Sequence, residues 1–354
     1  MKDLILSYLQ DEESKYIFKK RIEFNETGDS DVFIEIADRY WKGFTNADYC
    51  INLKNKIAND VAVKENVWIW GAGMYGRDLV HRLRRNGITV KGIIDNDKNK
   101  KEFCGISVFL PENVNFKEID CLIISMLDGG SIKNCIDLAV SKELDKEKIL
   151  LYSDYIIRVQ DKEQYFSSLI KYENGECFVD AGVFDLETSF RFARQCILNN
   201  VSDFKVYAFE PDEISYRNCM EIKKQHLEWD IRLLNFGLYS SDMKIGFNLS
   251  GGSASRIAQE KGTDEIDVVC LDSVIDEKVT FIKMDIEGAE LEALKGCKSI
   301  IRKYKPKLAI CVYHKSNDII EIPHYIKQLV PEYRLYLRHY SNYDGETVLY
   351  ALPY

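Results

Sequence analysis

Two acids and a histidine at the ends of apolar runs set out the chemistry available to this chain. Residues 281–296 read FIKMDIEGAELEALKG. The strand-like run Phe281 to Met284 ends on Asp285, and Glu287 and Gly288 follow. A helical pattern then places Leu291 and Leu294 on one face. A second apolar run, KLAICVYH over 307–314, ends on His314. Adjacent strand ends in one sheet bring the three side chains to one mouth, and in open α/β sheets ligands bind at that edge. Two carboxylates and an imidazole there can exchange protons with a ligand. Their plainer roles are helix capping for Glu287, since an acid in a first helical turn is favoured by the dipole, and a hydrogen bond at the sheet edge for His314. A divalent metal on Asp285, Glu287 and His314 would suit mixed oxygen and nitrogen ligands. The spacing demands none, and no metal is expected.

A second set lies upstream. FVDAGVFDLETSF over 178–190 is a strand that ends at Asp180, a turn with Gly182, and a helix. A glycine lets the backbone approach a ligand closely, and the helix amino end favours a carboxylate. Thirty residues after Asp180, the strand VYAFEP ends with Glu210. An acid there can accept both hydroxyls of a ribose. The run IRLLNFGLY over 231–239 offers Asn235 and Gly237 at a third turn, with Asp242 a weaker candidate. All three residues are also ordinary turn formers.

The wording I-K-M-D-I-E-G-A-E-L-x-x-L-K-G at 282–296 closely resembles the FkbM family of S-adenosylmethionine-dependent methyltransferases. So does its continuation Y-H-K-x-x-D-x-x-x-I-P, which includes Asp318 and Pro323. The resemblance covers roughly 176–354. It implies a class I methyltransferase sheet with a β-hairpin insertion, S-adenosylmethionine as cofactor, and transfer to oxygen. The implied cofactor residues are Asp180, Gly182, Glu210, Asn235, Gly237 and Asp285. The general base is expected to be His314, oriented or charged by Asp285 or Glu287. The loop SGGSAS, with Ser253, Ser255 and Arg256, is expected to close over the acceptor. One departure stands out. The family writes D-x-G-A-x-x-G, whereas Val183 and Asp185 occur here without a third glycine.

A further glycine pattern, Gly71-x-Gly73-x-x-Gly76, follows the run NVWIW and opens a helical segment, with Asp95 ending the next apolar run. That is the context of a nucleotide-binding fingerprint. The stretch from IWGAGMYG to CGISVFLPEN resembles the amino-terminal domains of bacterial sugar acyltransferases, which bind nucleotide sugars. The loop is expected to hold a nucleotide sugar or NAD, or to be a nucleotide-type fold kept for docking. An NAD- or nucleotide-sugar-dependent enzyme, or a nucleotide-binding scaffold working through 71–95, is therefore the alternative to a methyltransferase.

The elements that must position these groups alternate between strand and helix, which predicts α/β architecture with two Rossmann-like units. The expected segments are an amino-terminal helical segment at 1–65, a small nucleotide-binding-type domain at 66–155, a helical connector at 156–175 and the methyltransferase domain at 176–354. The 354 residues, 46% hydrophobic, suffice for two cores. A net charge of −9 argues against a nucleic-acid surface. No apolar stretch is long enough to span a membrane. Ten scattered cysteines predict buried, reduced thiols rather than zinc or disulfides. The chain reads as cytoplasmic, with a possible homodimer, and the pairing of units points to a saccharide or other hydroxyl-bearing acceptor.

Overall fold

The computed structural model describes residues 1–248, 256–257 and 264–354. It divides into two compact units. One comprises 1–18, 161–340 and 345–354, and the other 19–160 and 341–344.

The second of these is built on strands β1 (Val67–Trp70), β2 (Val90–Ile94), β3 (Glu102–Phe103), β4 (Ile106–Phe109), β5 (Cys121–Ile124) and β6 (Ile149–Leu151). Their order is β3-β4-β2-β1-β5-β6, and every pairing except β3–β4 is parallel. The order reverses between β1 and β5, so the ligand crevice of a doubly wound sheet lies at their carboxyl ends. β5 reads CLII and is buried throughout, as a strand covered on both faces must be.

The first unit contains β7 (Glu176–Ala181), β8 (Phe204–Phe209), β9 (Ile231–Leu234), β10 (Gly237–Leu238), β11 (Met243–Asn248), β12 (Arg256–Ile257), β13 (Asp264–Val269), β14 (Phe281–Met284), β15 (Lys307–Cys311), β16 (Arg334–His339) and β17 (Thr347–Leu352). Seven of them form a sheet in the order β16-β17-β15-β14-β7-β8-β9. Only β17 runs against its neighbours, next to the edge. This agrees with the class I methyltransferase sheet expected from sequence. The expected hairpin is present as β11 against β13, within a small separate sheet ordered β10-β13-β11-β12. Phe178 on β7 stacks on Phe192 with ring centroids 4.4 Å apart, and Phe166 and Phe281 pack beside them in the core.

Three expectations need correction. The run 231–239 is not one strand, because β9 stops at Leu234 and β10 joins the small sheet. The amide of Asn235 donates to the carbonyls of Glu210 and Pro211, and this holds the turn between them. Residues 156–175 contain no α-helix beyond a 3-10 turn that ends at Tyr155. Within the amino-terminal segment, the stretch 3–20, whose apolar residues Leu4, Leu6, Leu9, Ile17 and Phe18 read as one helix, is interrupted. Helix Lys2–Tyr8 ends where Leu9 bridges Leu335, and Asp11 then accepts the Ser14 amide at 2.9 Å to cap helix Glu12–Thr27. All ten cysteines are unpaired and eight are buried. Among the described residues no helix is long and apolar enough to cross a membrane.

Candidate active site

A cavity opens at the carboxyl ends of β7, β8 and β14, with an empty volume of about 1050 Å³ that includes its open mouth. Gly182, Glu210, Gly237, Asp285 and Glu287 all line it, as sequence predicted for ligand-facing groups. The wall opposite is apolar, formed by Ile245, Ile266 and Val268 of the inserted hairpin.

Gly182 has φ +78°, and a Cβ there would lie 1.9 Å from the Asp285 carbonyl oxygen. The turn after β7 thus touches the turn after β14, and only glycine permits it. The missing third glycine is replaced by strain, because Phe184 and Leu186 take φ values of 52° and 64°. Asp185 accepts the Glu187 amide at 3.0 Å in the turn that leads into the following helix, Glu187–Leu198.

Glu210, just past β8, accepts the Phe184 and Asp212 amides, each at 2.9 Å. Burial raises its pKa above the usual carboxylate value, although both amides oppose the shift. Each oxygen keeps further acceptor capacity toward the cavity.

Two predicted cofactor residues do not line the cavity. Asp180 is fully buried, 3.1 Å from Lys283 Nζ, and accepts the Ser189 hydroxyl at 2.7 Å. Lys283 also donates to the carbonyls of Ala181 and Gly182. The pair therefore fixes the glycine turn from beneath. Asn235 serves the turn after β9 in the same indirect way.

At the other end, Asp285 is held by the Tyr165 hydroxyl at 2.6 Å and the Tyr313 hydroxyl at 3.2 Å. Burial pushes its pKa up, but His314, Lys283 and the Tyr165 hydrogen bond hold it below the usual value. His314 Nε2 lies 3.4 Å from Asp285 Oδ1 and 3.8 Å from Glu287 Oε2, and Nδ1 lies 2.9 Å from Glu290 Oε1. Burial alone would lower the histidine pKa, but Glu290, Asp285 and Glu287 push it up to about 9. His314 does not line the cavity, whereas Asp285 and Glu287 do. As placed, it reaches a ligand only through these acids, which does not suit the direct general-base role expected of it.

Glu290 is fully buried, and its Oε1 accepts the Ile286 amide at 2.9 Å. One donor atom each from Asp285, Glu290 and His314 lies within 4.8 Å of the others. Asp318 accepts the Lys315 amide at 2.9 Å and shapes the turn after His314.

Sequence reasoning gave no role to Glu290, Tyr165, Tyr313 or Glu346, the last of which also lines the cavity. Glu290 had a local signal, the second acid of E-G-A-E. Tyr313 had one too, as the first residue of Y-H-K, whereas Tyr165 and Glu346 are brought in from distant segments. Backbone strain marks the site as well. Phe184, Glu287 and Glu346 line the cavity with positive φ, and Tyr165 has φ 70°. Such strain collects at functional sites. Ser253 and Ser255 lie outside the described residues, and Arg256 begins β12.

In the other unit, a cavity at the carboxyl ends of β1, β2 and β5 is lined by Gly71, Gly73, Asp95, Lys100 and Ser125, among others. Asp95 accepts the Ala72 amide at 2.8 Å and the Asp97 amide at 2.9 Å, and Lys100 Nζ lies 3.4 Å from it. Gly76 does not line this cavity. A Cβ there would lie 2.1 Å from the Gly71 carbonyl oxygen, so its role is close packing of helix Met74–Arg85 on the turn.

Comparison with known proteins finds similarity in both units. Residues 177–342 match the model of the methyltransferase FkbM domain, and residues 63–150 match the model C2185-like, N-terminal. No curated protein matches the chain. Among solved structures, the methyltransferase FkbM from Methylobacillus flagellatus KT is similar over 88% of this chain and 100% of its own, at 20% identity and TM-score 0.48. A SAM-dependent methyltransferase from Aquifex aeolicus is similar over 51% of this chain and 84% of its own, at 13% identity and TM-score 0.28. A methyltransferase-type protein of Streptococcus mutans, solved in complex with SAH, covers 55% of this chain and 92% of its own, at 14% identity and TM-score 0.31.

Proposed function

We propose that this methyltransferase, whose residues 177–342 match the FkbM methyltransferase domain and whose cofactor is S-adenosylmethionine, methylates a hydroxyl oxygen of a saccharide or similar acceptor. One observation carries this reading. A single cavity joins Glu210, an acid at the end of the second strand of the unit, to the carboxylates Asp285 and Glu287 after β14.

The residues present fit the cofactor. Glu210 offers oxygens to a pair of ribose hydroxyls. Gly182 lets the turn after β7 close on the turn after β14 at the cavity wall, and Ile245, Ile266 and Val268 form a wall for a flat heterocycle. When bound, the cofactor supplies an electrophilic methyl group. Asp180 and Lys283 keep the glycine turn in place. Asp285, fixed by two tyrosines, and Glu287, whose side chain is 33% exposed, orient the acceptor hydroxyl and accept its proton. His314 is a positioning residue that acts through these two acids.

Calorimetric titration with S-adenosylmethionine and S-adenosylhomocysteine tests the cofactor half, with Glu210→Ala as the control. Binding that Glu210→Ala leaves intact would overturn the assignment of the ribose acid. A screen of neutral oligosaccharides for S-adenosylhomocysteine release tests the acceptor half. On any acceptor found, Glu287→Gln is expected to lower kcat by roughly 10²-fold or more. Cofactor affinity should stay unchanged.

A second reading attaches to the cavity beside Gly71, Gly73 and Asp95, where helix Met74–Arg85 points its amino end at the opening. It is a nucleotide site, for a nucleotide sugar or NAD. Titration of the full chain with UDP-sugars and NAD, compared with Asp95→Ala, tests it.

A further inference from the structure

We propose that Asp285, Glu287 and His314 bind a divalent cation at the acceptor end of the cavity, with Glu290 as the carboxylate behind the imidazole. The proposal takes its chemical purpose from the methyl-transfer reading, but the binding site stands on its own geometry.

The distances around Nε2 come first. It faces Asp285 Oδ1 at 3.4 Å and Glu287 Oε2 at 3.8 Å. Charge-assisted hydrogen bonds are shorter, about 2.7–2.9 Å. Two ligands each about 2.1 Å from one cation lie roughly 3.0–3.5 Å apart, so a small closure of the Glu287 side chain completes the set.

The opposite ring nitrogen supports the same reading. Nδ1 stands 2.9 Å from Glu290 Oε1, which the Ile286 amide also fixes. A cation that displaces the Nε2 proton would leave the neutral ring with its remaining proton on Nδ1, facing the Glu290 carboxylate, and the Nε2 lone pair facing the acids. This is the usual outer-shell arrangement of a metal-binding histidine.

Unsatisfied atoms give an independent pointer. Both ring nitrogens of His314, and Glu290 Oε2, are buried without a hydrogen-bond partner, so the 2.9 Å approach of Nδ1 to Glu290 is an ion-pair contact. The His314 side chain is only 9% exposed. Buried polar atoms are seldom left unpaired, and an ion is one standard reason for the exception.

Asp285 is the anchoring ligand, since Tyr165 and Tyr313 hold both its oxygens in place. Asp285 and Glu287 line the cavity, so one side of the site stays open for an acceptor hydroxyl or water. Two oxygen donors and one imidazole suit magnesium or manganese better than zinc, which prefers sulfur and nitrogen. A cation there would align a hydroxyl and lower its pKa.

The test uses the full chain, stripped with EDTA and titrated with MnCl₂, with free Mn²⁺ read by electron paramagnetic resonance and MgCl₂ as competitor. S-adenosylhomocysteine binding is measured on the same samples. One Mn²⁺ per chain is expected. His314→Gln and Glu287→Gln should weaken it at least about tenfold, and Glu290→Gln by roughly 10–100-fold, the usual cost of losing an outer-shell partner. Cofactor affinity should change little.

No Mn²⁺ bound at millimolar concentration would overturn the proposal. Binding that all three variants retain at full strength would do the same, by locating the ion elsewhere. If His314→Gln fails to fold, Glu287→Gln at the exposed edge decides. Loss of cofactor binding in the unaltered protein would count against the methyl-transfer reading and leave the manganese result standing by itself.

Discussion

Lys283 illustrates how a residue can govern a site it does not line. It is buried beneath the glycine turn, paired with Asp180 at 3.1 Å and donating to two turn carbonyls. Lys283→Met would leave Asp180 as a buried, unpaired charge. The expected cost is about 3–5 kcal/mol of unfolding free energy in urea. The double variant Lys283→Met/Asp180→Asn should recover part of it, because no lone charge then remains. Gly182 acts by absence of a side chain. With φ +78° and the Asp285 carbonyl oxygen 1.9 Å from any Cβ, Gly182→Ala must displace one of two turns. It should cost more than about 2 kcal/mol and abolish calorimetric binding of S-adenosylhomocysteine.

At the scale of elements, the same device appears in both sheets. An acid after the second parallel strand accepts a backbone amide of the first turn and one of its own turn: Glu210 with Phe184 and Asp212, and Asp95 with Ala72 and Asp97. The acid thereby sets the turn that a ligand would meet. Residues 156–175, expected as a helical connector, instead form an irregular segment that delivers Tyr165 to Asp285 at 2.6 Å. A hydrogen bond to a charged carboxylate contributes about 1.5–3 kcal/mol. Tyr165→Phe should therefore lower kcat by roughly tenfold while the cofactor Kd moves by less than about twofold. A purely structural loss would shift both, along with the melting temperature.

The whole molecule carries two doubly wound sheets, and the unit that holds the glycine fingerprint has its own acid–base signature. Asp344, supplied to that unit by the return segment 341–344, has its pKa pushed up to about 6 by burial, with Asp78 adding to the shift and Arg21 and Lys54 opposing it. A carboxyl whose folded pKa is raised favours the protonated form. The unfolded chain then binds fewer protons between about pH 4 and pH 6, so stability falls as pH rises through that window. Asp344→Asn removes the penalty. It should stabilise the protein by on the order of 1–2 kcal/mol at pH 7 and by little at pH 4. Thermal unfolding of the full chain at both pH values would check this, and equal effects at both would refute the assignment.

Much of this site could be read along the chain because its chemistry sits at ends of elements. Asp285, Glu210 and Gly182 each close a short apolar run, and a parallel sheet brings such ends to one edge whatever the connecting helices do. The hairpin insertion was legible from the strand-like runs KIGFNL and EIDVVCL, and the sheet from its repeated strands and helices. Side-chain direction was not legible. Asp180 and Glu210 look alike in sequence, yet one faces Lys283 beneath the turn and the other faces the cavity. His314 sits at the right strand end, but three carboxylates and burial draw it behind the acids. Tyr165, Glu346 and the hairpin wall reach the site from positions far apart in the chain, and Tyr165 and Glu346 do so with strained backbones that no local preference favours. Local pattern therefore determined which turns form the site. Packing between distant segments decided which atoms face it, since burial energy acts on the assembled surface and not on the linear order of residues.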